Sequence, residues 1–189
     1  MSKKIGVIAE DQSDIEVIAE FLEKYTPKNN FSIRRFVGNG CGKLRNKCAV
    51  WTETLFSCGC DHVLLFHDLD RNNEPDLREI LQKKIPLKHF PQSLIVIPIE
   101  EIEAWLLSDE VALQKIFSMK TMPKRYNNCE AVNSPKEEIE RVVWKNEKKR
   151  YLNTVHNKKI AAKVSLDNLR RCPSYLSFDN YVTEMIFPT

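Results

Sequence analysis

Four short apolar runs, separated by stretches with helical spacing, constrain the fold of this 189-residue chain more than any other feature. Residues 4–9 (KIGVIA), 31–37, 62–68 (HVLLFHD) and 94–99 (LIVIPI) are rich in β-branched and aliphatic side chains. The third run is nearly apolar throughout, as in a strand buried on both faces. Between the runs, Ile15, Ile18, Phe21, Leu22 and Tyr25 recur at helical spacing after a Ser13-Asp14-Ile15-Glu16 capping box. Leu44, Cys48, Trp51 and Leu55 share one face of a helix over 43–58. A third helix spans 76–84 and stops before Pro86. This alternation predicts an α/β fold: a mostly parallel four-stranded central sheet with right-handed crossovers, flanked by helices.

Beyond Glu100 the spacing becomes helical, over 101–107, 111–117 and 175–187, with a further start at Ser134-Pro135. Residues 121–134 are polar and loop-like. The chain therefore divides into an α/β domain over 1–117 and a helical, basic C-terminal extension over 118–189, packed on the same domain. No apolar run approaches the roughly 20 residues needed to span a bilayer. The Met1-Ser2-Lys3-Lys4 start runs straight into the first strand without a signal-peptide pattern, so a cytoplasmic protein with no membrane partner is expected. The six cysteines then read as free thiols. Cys58-Gly59-Cys60 lacks the second pair that a structural zinc site requires.

In open parallel sheets ligands bind at the carboxyl ends of the strands. Here the first run ends in Glu10 and Asp11, with Asp14 soon after; the third ends in Asp68-Leu69-Asp70, and the fourth leads to Glu100-Glu101-Ile102-Glu103. Asp68 and Asp70, two apart on an extended chain, project to one side. Carboxylates brought this close repel one another unless protons or a cation intervene. Hard oxygen ligands with no nearby Cys or His partner suit Mg²⁺ or Mn²⁺. Glu10, Asp68 and Asp70 are the first candidates. Asp14 by itself reads as a first-turn residue favoured by the helix dipole. Glu103 either binds a second ion, positions water, or caps its helix. Trp105 reads as packing, and His67 as a packed strand histidine facing away from Asp68.

IGVIAEDQSD and HVLLFHDLDR together resemble the Toprim signature, a glutamate after the first strand and an Asp-x-Asp after a later one. With Glu103-Ala104-Trp105-Leu106-Leu107 the spelling is most similar to small stand-alone bacterial Toprim-like proteins related to the OLD nucleases. The resemblance covers residues 4–109 and extends weakly to Cys172-Pro173-Ser174. It implies a Toprim-like fold and Mg²⁺-dependent phosphodiester chemistry on DNA or RNA, with Glu10, Asp68 and Asp70 in the acidic positions and Asp14 as the second acid. It also implies an ABC-type ATPase partner and a role in anti-phage defence. One departure is Asp11, where the family carries glycine.

Charge is distributed unevenly. Residues 141–171 hold ten Lys/Arg against two acids, a net of +8, while the whole chain is +3, leaving −5 elsewhere. A basic segment beside an acidic cluster fits a phosphate backbone. The candidate nucleic-acid contacts are Lys148, Lys149, Arg150, Lys158 and Lys159, with Lys43 at the glycine loop. Trp144, Tyr151 and His156 are placed to stack on unpaired bases. The bland alternative is a solvated lysine-rich helix. Lys163, within an apolar stretch, is the candidate inward cation for phosphoryl charge. Gly40-Cys41-Gly42-Lys43-Leu44 is no P-loop, because Leu44 stands where Ser/Thr is required. Three readings compete with the nuclease: a non-catalytic module binding nucleic acid or a partner protein, a hydrolase of small phosphate esters, and a receiver-like domain.

Overall fold

Strands β1 (Lys3–Ala9), β2 (Phe31–Val37), β3 (His62–Phe66) and β4 (Ser93–Val96) pair in the order β2-β1-β3-β4, all parallel, in the computed structural model, which describes residues 2–188. Parallel neighbours need crossovers, and helices α1 (Gln12–Leu22), α2 (Cys41–Ser57) and α3 (Glu74–Gln82) supply them. The period-2 alternation of strand side chains sorts the core into two layers. Ile5, Val7, Ala9, Leu64, Phe66 and Val96 face α1 and the C-terminal helices. Ile8, Val63, Leu65, Ile95 and Ile97 face α2 and α3. The α/β architecture is thus as expected, and every connection between strands is helical.

Gly6 marks the tightest point of this packing. A Cβ there would lie 2.9 Å from Leu55 Cδ1 and 3.0 Å from Val63 Cγ2. Gly6→Ala is expected to cost about 1–3 kcal/mol through overpacking, read as a lower urea midpoint with an unchanged m-value.

The remaining helices are α4 (Glu103–Leu106), α5 (Glu110–Phe117), α6 (Pro135–Glu147), α7 (Asn153–Lys163), α8 (Leu166–Leu169) and α9 (Pro173–Tyr181), the last widening into a π turn over Val182–Ile186. Their apolar faces join the α1 side of the sheet in one continuous core: Ile139, Val143, Ile160, Val164, Tyr175 and Phe178 pack with Phe21, Phe66 and Trp105. Trp105 is fully buried and donates its Nε1–H to Ser174 Oγ at 2.8 Å, so it is a packing residue.

Several boundaries differ from expectation. The Ser13–Glu16 capping box does not form, because α1 starts earlier: Asp11 is the N-cap, and the Asp14 carboxylate accepts from the Asp11 amide at 2.9 Å. The regular strands β3 and β4 stop before residues 67 and 97. Pairing continues irregularly beyond them, through His67 N–H to Val96 O and Leu69 N–H to Pro98 O.

Candidate metal centre

The helix after β1 leads outward to β2 on one face of the sheet, and the helix after β3 leads outward to β4 on the other. The connections leaving these adjacent strands therefore diverge, opening the crevice where doubly wound sheets bind ligands. Glu10 follows β1, and Asp68 and Asp70 follow β3. The backbone is pinned there: Asn39 N–H donates to Glu10 O at 2.8 Å and Asp70 N–H to Glu100 O at 3.2 Å. Asp70, Arg71 and Glu100 all hold left-handed φ values of 49°, 60° and 61°. For residues with a Cβ such backbone is sparsely populated and persists where surrounding structure enforces it.

Five carboxylates meet at this crevice, near enough that Asp14, Glu103, Glu10 and Asp70 all raise the pKa of Asp68. Burial, followed by Asp70, pushes Glu10 up to about 7, against a smaller lowering by Arg45. Burial and then Glu103 push Asp14 up to about 7. Burial drives Asp68 well above the usual carboxylate range, with Asp14, Glu103, Glu10 and Asp70 all adding to it. Burial also raises Glu103, which is 5% exposed. All five lie near enough to interact electrostatically, but the ligand atoms that gather within 4.8 Å of one another belong to Glu10, Asp70 and Cys41, and Asp14, Asp68 and Glu103 stand outside that group. One oxygen of Glu10, Oε1, is buried without a hydrogen-bond partner.

Three neighbours were not foreseen. Cys41, at the start of α2, places its Sγ with one oxygen each of Glu10 and Asp70 so that all three atoms lie within 4.8 Å of one another. The expectation of a cluster without cysteine or histidine is thereby corrected: the Gly38–Gly40 turn folds the start of α2 over the crevice. His67, 1% exposed, lies 3.6 Å from Glu10 Oε1 through Nδ1. Its Nε2 accepts from Arg45 Nε at 2.8 Å, and since arginine only donates, the Nδ1 proton goes to the Asp68 carbonyl at 2.6 Å. Both nitrogens are thus engaged in a neutral ring, and burial lowers its pKa. His67 positions the Asp68 backbone; it is not a ligand. Arg45 carries the nearest positive charge acting on Glu10.

The fourth unforeseen residue ties the C-terminal segment to the crevice. Asn157, fully buried on α7, donates to Glu103 Oε1 at 2.9 Å and accepts from the Tyr151 hydroxyl. Its position was legible: Asn157, Ile160, Ala161 and Val164 form an i, i+3, i+4, i+7 stripe, and an amide on such a stripe needs a polar partner. The Glu103 carboxylate is held by this amide and by its own backbone N–H in the first turn of α4. Asn157→Asp would set a further buried carboxylate against Glu103 and is expected to destabilise by about 3 kcal/mol or more, measured by urea unfolding.

The basic candidates are dispersed. Lys163 is exposed on α7, off the buried stripe, so it is not an inward cation. Its apolar neighbours Ile160, Ala161 and Val164 take the inward face instead. Tyr151 is 5% exposed and bonded to Asn157, and so is not free to stack. His156 is half-buried, in contact with Phe117 and bonded to the Leu152 backbone. Lys158 lies 4.0 Å from Glu20, Lys159 is exposed on the same helix, and Lys43 is exposed in the first turn of α2. Lys148, Lys149 and Arg150 sit together at the end of α6. Asp11 takes the glycine position as a helix cap, with its side chain exposed.

Among the described residues no helix is long and apolar enough to cross a membrane. No curated protein and no solved structure matches the chain. A family model described as a domain of unknown function, DUF4276, matches residues 9–185, from the loop that carries Glu10 through the C-terminal helices that hold Glu103. On that match, which takes in the acidic crevice, strands β2 to β4 and the helical segment, the chain belongs to the DUF4276 family.

Proposed function

We propose that this protein is a metal-dependent nuclease that hydrolyses phosphodiesters of DNA or RNA. The observation that carries this reading is the convergence of Glu10, Asp14, Asp68, Asp70 and Glu103 at the topological switch point, with four of the five pushed up in pKa. So much negative charge is costly to assemble and serves best as a cation site. The donor set fits a divalent ion: carboxylate oxygens predominate, and one buried oxygen of Glu10 has no protein partner. Glu10 and Asp70 would hold it on the Cys41 side, and Asp14, Asp68 and Glu103 on the α7 side. Mg²⁺ or Mn²⁺ supplies Lewis acidity and an activated water at such a site. The thiol of Cys41 shifts the preference toward Mn²⁺, the softer of the two.

The chain's own residues do the rest. Asn157 fixes the Glu103 carboxylate, His67 and Arg45 fix the Asp68 backbone, and the left-handed turns at Asp70 and Glu100 set the rim of the crevice. Incubating the protein with single-stranded and duplex DNA and RNA, with Mn²⁺, Mg²⁺ or EDTA, tests the reading. Cleavage is expected with Mn²⁺ and not with EDTA; metal binding without cleavage on any polymer would favour the non-catalytic module. An ABC-type ATPase partner and a role in phage defence rest on the Toprim-like resemblance, and are tested by repeating the assay with any ATPase encoded beside the gene. A cytoplasmic location belongs to the same reading and is tested by fractionating the cells that make the protein.

A further inference from the structure

A cleft of about 470 Å³ lies along α6, lined by Glu137, Glu140, Arg141, Trp144, Lys149 and Arg150. Its volume is in the range of clefts that hold small ligands. Trp144 is 57% exposed, unusual for so large an apolar ring that packs on nothing in the core. The Lys148 ammonium lies 5.7 Å from the ring centroid, and Arg150 is exposed and lines the same cleft. The cleft adjoins the acidic crevice. Glu137 also lines a second cavity, of about 230 Å³, shared with Asp70, Arg71, Glu100 and Glu101. From Glu137 to Trp144 is two helical turns, about 10 Å along the axis.

We propose that Trp144 is a stacking platform for an unpaired base, so that the substrate of the crevice is single-stranded nucleic acid. An aromatic face ringed by cations recognises a base and its phosphates together. A paired base in a duplex has both faces already stacked on its neighbours and cannot use the ring. Arg141 is held in a bidentate pair with Glu138, and Lys149 donates to the Phe117 carbonyl. At this cleft Lys148 and Arg150 are therefore left to meet phosphate. This inference rests on the nuclease reading for its substrate, and on Trp144 for its specificity.

Binding of a fluorescent oligo(dT) or oligo(U) 12-mer, followed by anisotropy in EDTA, separates the two. The full chain is expected to bind the single strand more tightly than a blunt duplex. Trp144→Ala is expected to weaken that binding about ten-fold, while Trp144→Phe restores most of it. Because Trp144 is exposed, the variants should keep the parental thermal midpoint, which is checked alongside. Equal binding by Trp144→Ala and parent, or no preference over duplex, would overturn the proposal. So would competition by heparin with no difference between the variants, which would mark a general polyanion or acidic-protein surface. Loss of binding in Trp144→Ala together with no Mn²⁺-dependent cleavage by the parent would leave the platform standing and remove the nuclease reading.

Discussion

Asp68→Asn is expected to lower Mn²⁺-dependent hydrolysis at least about 100-fold and, at the same time, to stabilise the metal-free protein. The first effect follows from ligand chemistry. Removing partners that merely orient metal ligands already costs about 10- to 100-fold, and the proposed reading puts Asp68 among the ligands themselves. The second follows from the crevice. Asp68 is pushed well above the carboxylate range by burial and by four surrounding acids, so its ionised form opposes folding. An amide of the same shape removes that charge and can donate to Asp14 or Glu103. For a chain of this size each kcal/mol regained raises the midpoint by about 2–4 °C. Glu10→Gln should behave alike in direction. Glu184→Gln, exposed on the C-terminal turn, should change neither activity nor midpoint. Asp68→Asn that hydrolyses at the parental rate, or that melts below the parent without metal, would refute the assignment of Asp68.

Activity lost with stability gained is the mark of a site that assembles like charges for a purpose. A structural ion-pair residue would lose both. In this chain the acids find few cations: Arg45 acts on Glu10, and Lys136 lowers Glu101 and Glu103 weakly.

How much of this could be read from the sequence depends on range. The strands were legible because each is an apolar run bounded by helix and turn signals. The acids were legible because a parallel sheet delivers every strand end to the same edge, whatever the strand order. Strand order itself was not legible, and it is the order β2-β1-β3-β4 that sets Glu10 beside Asp68. Cys41, Arg45 and Asn157 were missed for a related reason. Cys41 and Arg45 lie on α2, and only the turn at Gly38–Gly40 decides how its first turn meets the crevice. Gly40, with φ at 112°, makes that turn possible. Asn157 reaches Glu103 across 54 positions, through packing of α7 on α1 that no local pattern encodes. Lys163 was misplaced because an apolar stretch was read without its helical phase. On α7 the stripe of Asn157, Ile160, Ala161 and Val164 faces inward, and position 163 falls outside it.

The metal-free protein is expected to lose stability as pH rises from 6.5 to 8, and Mn²⁺ is expected to reverse the trend. Glu10 and Asp14 protonate at about 7 in the folded chain, against 4.5 and 3.8 for the free groups. Between those values the native state holds more protons than the unfolded state, so stability falls with rising pH until both groups are charged. Glu10 alone corresponds to about 3 kcal/mol across the whole range. Asp14 interacts with the neighbouring acids Glu103 and Glu10, so the combined fall is a few kcal/mol rather than a simple sum. His62 and His67, lowered by burial, act with the opposite sign: their contribution is lost as pH falls below about 6.5. The window from 6.5 to 8 therefore isolates the carboxylates. Glu10→Gln or Asp14→Asn should flatten the slope there. A divalent ion competes with protons for the same oxygens, so its stabilisation should grow with pH. Urea midpoints at pH 6.5 and 8, with EDTA and with Mn²⁺, decide the matter. A flat or rising midpoint without metal, or an Mn²⁺ effect equal at the two pH values, would mean that these carboxylates do not share one ion.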